Sequence, residues 1–179
     1  MEPPPSSDAP LNKARRELAA LRALAGPTCP PTPALDLVTQ RPRVGVGCVL
    51  CLQGSLLVGA RRGSHGAGRW AMPGGHMEYG STPALTASAE LREECALDLP
   101  PSRWRHVHTG NTFMPESDLH YITLYMRAEV SEEEAAAIRN AEEDKCEGWE
   151  WVQCSALRAG ARPLFTTLQH FLDAGGELK

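Results

Sequence analysis

The chain has 179 residues, enough for one domain with its own core and short for two. Hydrophobic residues at 42% and charged residues at 22% match an ordinary soluble globular protein, and a net charge of −4 argues against a basic surface for a nucleic acid polymer. No apolar stretch is long enough to span a bilayer, and six cysteines (29, 48, 51, 95, 146 and 154) are too few and too scattered for a disulfide-held secreted scaffold. The expectation is a chain working in the cytoplasm, with no membrane partner.

Composition changes near residue 40. Eight of the 15 prolines lie between Pro3 and Pro33, and each removes a backbone donor and fixes φ. Leu11 to Ala25, rich in Ala, Leu, Lys and Arg, is a candidate amphipathic helix. Arg15, Arg16 and Arg22 suit an organelle-targeting peptide, but Glu2, Asp8 and Glu17 are unusual in one. The expectation is a flexible Pro-rich tail over 1–40 and a folded domain over 41–179.

From Arg41 the pattern tightens. Val44–Leu52 reads as a strand, Gln53-Gly54 as a turn and Ser55–Arg61 as the hairpin partner. Gly63–Gly68 is a glycine-rich loop, and Trp70–Met72 a short strand running into a Pro73-Gly74-Gly75 bend. Helices are expected at Pro83–Cys95, Glu132–Arg139 and Leu164–Ala174, and strands at His120–Val130 and Gly148–Gln153. Strands interleaved with helices predict an α/β fold, a mixed sheet covered on both faces. Cys48 and Cys51 lie three apart in a strand, so their thiols should point to opposite faces and neither pair nor chelate. His106 and His108, two apart, should share a strand face.

The chemistry concentrates in Pro73 to Leu97. Thr82 followed by Pro83 is a helix start: a hydroxyl cap, then a proline where the missing N–H costs nothing. Glu90, Glu93 and Glu94 follow at i, i+3 and i+4, so their carboxylates share one helical face. An isolated acidic run of this kind usually marks a solvated surface, with Arg92 here as a nearby counter-charge. The glycine pair at fixed distance upstream favours another role. Three carboxylates repel unless a hard cation such as Mg²⁺ or Mn²⁺ offsets their charge, and Gly74-Gly75 would let backbone approach that cation.

This stretch resembles the signature of the Nudix hydrolases: Gly, five residues, Glu, seven residues, then Arg-Glu-apolar-x-Glu-Glu-x-Gly-apolar. Gly75, Glu90, Leu91, Glu93, Glu94 and Leu97 match it; Ser81 stands for the first Glu, Ala89 for the Arg and Ala96 for the Gly. The first Glu and the Arg support each other in the family, and losing both leaves no unpaired buried charge. The resemblance runs from about Arg41 to the C-terminus. Leu57–Ser64, Trp70–Gly80, His120–Leu124, Lys145–Trp151 and Pro163–Phe165 make it look closest to small plant and animal MutT-type enzymes that hydrolyse oxidised guanine nucleotides.

The resemblance implies a Nudix fold (α/β/α) and hydrolysis of a phosphoanhydride, giving a monophosphate and pyrophosphate from a nucleoside triphosphate such as 8-oxo-dGTP. It implies Mg²⁺ or Mn²⁺ held by Glu90, Glu94 and the Gly74 carbonyl, with Glu93 a further ligand or an aid to the nucleophile. Arg61, with Arg62 as rival, would contact phosphate through a planar set of donors, and His76 beside Gly75 would donate to a phosphate oxygen. Gly75 belongs to the same substrate wall. Phe165, Thr167 and Leu168 resemble the wall that holds a purine; Trp149 and Trp151 read as core. The general base stays open, with Glu142, Glu143, Asp144 and Glu147 as one source of a further carboxylate. Dimers are common in the family, which leaves room for a homodimer. Two alternatives remain: a nucleotide-binding module without turnover, suggested by Ser81 and Ala89, and a pyrophosphatase for another diphosphate, such as dihydroneopterin triphosphate or NADH.

Overall fold

The computed structural model describes residues 41–63, 65–114 and 117–176; the expected tail and its Leu11–Ala25 helix lie outside them. Strand β1 (Arg43–Leu52) turns through Gln53 and Gly54 into β2 (Ser55–Arg61). Both turn residues take positive φ, 47° and 81°, which suits a two-residue hairpin whose twist must match that of its strands. The short strands β3 (Trp70–Ala71) and β4 (Gly74–His76) lead to helix α1 (Pro83–Cys95). A 3₁₀ turn at Pro101–Arg103 precedes β5 (Arg105–Met114) and β6 (Leu119–Glu129). Helix α2 (Glu132–Ala137), β7 (Cys146–Gln153), α3 (Cys154–Arg158) and α4 (Thr166–Asp173) complete the domain.

Among the described residues the strands form one mixed seven-stranded sheet of order β3-β2-β1-β6-β5, with β4 added to β1 and β7 to β2. β1 and β6 run parallel over Arg43↔Tyr121 to Cys51↔Glu129. β1 and β2 pair only at Cys51↔Leu56 and Leu52↔Ser55. Beyond that point β4 takes up β1 at residues 45–47, and β3 takes up β2 at Gly59 and Ala60.

Alternation along β1 builds two cores. Val46, Cys48 and Leu50 pack with Ala87, Leu91 and Cys95 of α1, while Val49 and Cys51 pack with Leu157 of α3 and Leu168, Phe171 and Leu172 of α4. Helices therefore cover both faces, as the sequence predicts. The same alternation places Cys48 and Cys51 in different cores, and both thiols are free. Among the described residues no helix is long and apolar enough to cross a membrane.

Several expectations need correction. The Pro73-Gly74-Gly75 bend is in part strand β4, because two glycines expose enough backbone for β1 to pair with them. β5 extends over ten residues, well beyond His106–His108. The register shifts between those two histidines, so His106 lies opposite Met126 of one core and His108 opposite Tyr125 of the other. They do not share a face, since an extra residue in a bulge breaks the period of two. The last helix starts at Thr166, after Phe165 bonds back to the Trp70 carbonyl, and α2 ends at Ala137.

Candidate active site

The site lies where α1 meets β4. Thr82 Oγ1 accepts from the Leu85 N–H at 3.3 Å, and Pro83 fills the first helical position, so the helix starts where the sequence places it. β4 is pinned to β1 by the register Gly47↔Gly74 and Val46↔Gly75, by Cys48 N–H donating to Pro73 O (2.8 Å) and by Met77 N–H donating to Val44 O (3.0 Å). A Cβ on Gly74, whose φ is +147°, would lie 2.2 Å from Val46 O. A Cβ on Gly75 would lie 2.1 Å from Glu90 Oε1. Glycine at both positions is what lets the helix carboxylates come down onto the sheet.

Glu94 Oε2 accepts from the Gly74 N–H at 2.9 Å, and Trp149 Nε1 donates to the Glu94 carbonyl at 3.1 Å. Burial pushes the Glu94 carboxyl up to about 7; the Gly74 N–H pulls it down, and Glu90 and Glu142 push it further up. Glu90 also rises to about 7, first through burial and then through the charge of Glu93. Lys145 counters both rises in part. It lies 2.7 Å from Glu142 Oε1.

Glu90, Glu93 and Glu94 all line one cleft of about 620 Å³, with Arg61, Arg62, Gly74, Gly75, His76 and Lys145 also on its walls. Of the acidic run 142–147, Glu142 lines this cleft. Ser81, Thr86 and Ala89 line it as well, and the Ser81 and Thr86 hydroxyls bond to each other at 3.0 Å. The substitution at 81 therefore leaves its polar atom satisfied.

A second cavity, of about 150 Å³, shares Arg61, Met72, Gly74, Gly75 and His76 with the cleft. Its other walls include Gly45 and Gly47 of β1, Tyr121 and Thr123 of β6, Met114, His65, Phe165 and Thr167. The Arg61 guanidinium carbon lies 4.5 Å from the centre of the Phe165 ring, so Arg61 stands between the two spaces. Arg62, beside it, donates to the Glu143 carbonyl. His76 Nε2 is 3.0 Å from the Tyr121 hydroxyl. The Thr167 carbonyl accepts from Tyr125 Oη at 2.7 Å. Leu168, expected on the same wall, is fully buried in the core and lines neither space. Trp149, expected in the core, packs against it and also lines the cleft.

Sequence reasoning passed over Gly45, Gly47, Tyr121 and Thr123. One signal was present: Gly45 and Gly47 share a strand face, and Gly47 has no room for a Cβ, with Met72 Sδ 2.9 Å away. The contribution of β6 depends on its parallel pairing with β1, which spacing along the chain does not reveal.

The donor set suits a hard divalent cation: carboxylate oxygens crowded in a half-buried cleft, two of them raised to about 7, chiefly by burial and then by neighbouring carboxylates. Among the described residues no three His, Cys, Asp or Glu side chains form a ready-made metal cage. Mg²⁺ commonly takes one or two carboxylates from a protein and completes its shell with water and substrate phosphate.

Comparison with known proteins places these features. The family model described as NUDIX domain matches residues 41–172. A MutT NUDIX hydrolase from Burkholderia pseudomallei is 23% identical, with a TM-score of 0.65 over 74% of this chain and 97% of that one. A MutT protein from Methanosarcina mazei Go1 is 16% identical, with a TM-score of 0.62 over 76% of this chain and 94% of that one. A bifunctional NMN adenylyltransferase/ADP ribose pyrophosphatase from Francisella tularensis, solved with AMP and a manganese ion, is 16% identical, with a TM-score of 0.58 over 90% of this chain and 45% of that one. The structural likenesses establish the shared fold, and the family match, which spans most of the chain, makes this protein a member of the Nudix family of phosphoanhydride hydrolases.

Proposed function

We propose that the chain hydrolyses a nucleoside triphosphate, dGTP or its 8-oxo form, to the monophosphate and pyrophosphate with Mg²⁺ or Mn²⁺. The observation that carries this reading is the pair of spaces with a common wall, an acidic cleft sized for phosphates and a small aromatic-walled cavity sized for one base. The Francisella protein's complex with AMP and manganese supports the same class of ligand and cation.

Glu90 and Glu94 would hold the cation with the Gly74 carbonyl beside them, Glu93 aiding the nucleophile, and water and substrate phosphate would complete the shell. The cation supplies charge neutralisation at phosphoryl oxygen and acidification of water. Arg61 and Lys145 face the phosphates as fixed positive charge, and His76 offers a donor at the junction of the two spaces. Phe165 and Thr167 wall the base, and the half-buried cleft keeps these charges poorly screened. A second reading, nucleotide binding without turnover, draws on Ser81 and Ala89, which place no charge where the family's supporting pair stands.

Incubation with dGTP, 8-oxo-dGTP, NADH, dihydroneopterin triphosphate and Mg²⁺, followed by product analysis, separates the readings. Pyrophosphate from a nucleoside triphosphate, lost by ~100-fold or more in Glu94→Gln, supports the proposal. Turnover of another diphosphate alone moves the substrate class. Saturable nucleotide binding without any turnover selects the binding module.

A further inference from the structure

We propose that His65 reads the base edge of the bound nucleotide, through a hydrogen bond from its Nε2 in the smaller cavity. The inference rests on the reading that a nucleotide occupies the two spaces. It adds a residue that neither the carboxylate helix nor the phosphate-facing groups account for.

His65 lines the cavity from the loop between β2 and β3. Its Nε2 is buried and has no hydrogen-bond partner among the described residues. A buried polar nitrogen without a partner carries a desolvation penalty that a bound group would remove. Two neighbouring nitrogens are committed elsewhere. Arg61 Nε donates to the His65 carbonyl at 3.3 Å, and His76 Nε2 engages the Tyr121 hydroxyl. Of these three nitrogens, the His65 Nε2 alone is left without a partner.

The loop holds the imidazole in place. Arg61 N–H donates to Arg69 O (2.9 Å), Gly68 N–H donates to Arg61 O (2.9 Å) and Arg69 N–H donates to Gly66 O (3.0 Å), closing the loop on itself. Gly66, at φ +75°, lies so close to Phe165 that a Cβ there would be 2.6 Å from the ring. The His65 ring meets Phe165 edge to face at 5.4 Å between centroids, with an interplanar angle of 87°. Its orientation is thus set by an aromatic contact and a braced backbone, which a specificity residue requires.

Size narrows the ligand class. A cavity of roughly 150 Å³ has room for about one aromatic base, so a single heterocycle fits while a second nucleoside or a long prenyl chain does not. Imidazole Nε2 donates or accepts according to tautomer, so its partner is an exocyclic carbonyl or amine on the base. A site built to bond such a group discriminates strongly against an analogue that lacks it.

The test compares GMP with purine riboside monophosphate, which has the same ring, sugar and phosphate but no exocyclic groups. Titration calorimetry with Mg²⁺ on the full chain measures both Kd values for wild type, His65→Phe, His65→Ala and His65→Gln. Wild type should bind GMP at least about tenfold more tightly than the bare purine. His65→Phe and His65→Ala should bring that ratio to within about twofold by weakening GMP binding alone, and His65→Gln should keep a preference. An unchanged ratio in both His65→Phe and His65→Ala overturns the proposal, as does a wild type that shows no preference or binds neither compound. A protein that shows the ratio but releases no pyrophosphate from dGTP retains the role of His65 and loses the hydrolase reading. One that turns over dGTP with a ratio indifferent to His65 does the reverse.

Discussion

Glu94 is raised to about 7 in the folded protein against an ordinary value of 4.5, so between those limits the folded state holds a proton the unfolded chain releases. Stability contributed by this group is therefore greatest at low pH and declines as pH rises toward 7. In metal-free protein, melting temperature should fall more steeply between pH 5 and pH 8 for wild type than for Glu94→Gln, by a few degrees; parallel curves would show the carboxyl is not strained. Manganese added at pH 8 should raise the wild-type midpoint and leave the variant nearly unmoved. That the three acids share a helix face was readable from spacing alone. The burial behind the shift was not, because it depends on Gly75 leaving room for Glu90 and on β4 lying against β1.

At the scale of elements, α1 was legible from end to end: Thr82 and Pro83 announce its start and Cys95 its last turn. It ends at Ala96, which takes φ 54° and donates its N–H to the Arg92 carbonyl. A left-handed alanine costs about 1–2 kcal/mol relative to glycine, partly offset by the greater freedom of glycine in the unfolded chain. Ala96→Gly should therefore stabilise the protein by about 0.5–1 kcal/mol in chemical denaturation; a loss of stability would contradict the cap geometry. β5 was legible only around its histidines, since Thr109-Gly110-Asn111-Thr112 lacks the apolar alternation of a covered strand. Its pairing with β6 makes it a strand despite that composition. β4 hid behind its glycines for the same reason: tertiary pairing outweighs local propensity.

Across the whole molecule, the two cores give the sheet a helix layer on each face, and Tyr125 ties one of them to the site. Its ring is fully buried at 4.8 Å from Phe171, and its hydroxyl donates to the Thr167 carbonyl at the start of α4. Tyr125→Phe leaves that carbonyl without its donor and should cost about 1–2 kcal/mol in equilibrium unfolding; an unchanged midpoint would show that the bond adds nothing net. The α/β/α class could be read from interleaved strands and helices, whereas the smaller cavity needs β1, β6 and the α4 entrance together, which no single segment encodes. The central claim, that one helix face presents carboxylates for a divalent cation, meets its most direct test in a manganese titration at pH 8 followed by electron paramagnetic resonance. Wild type should take up the ion saturably at or below millimolar concentration, and Glu94→Gln should bind at least about tenfold more weakly. Equal uptake by both proteins, or none by wild type, would contradict the account.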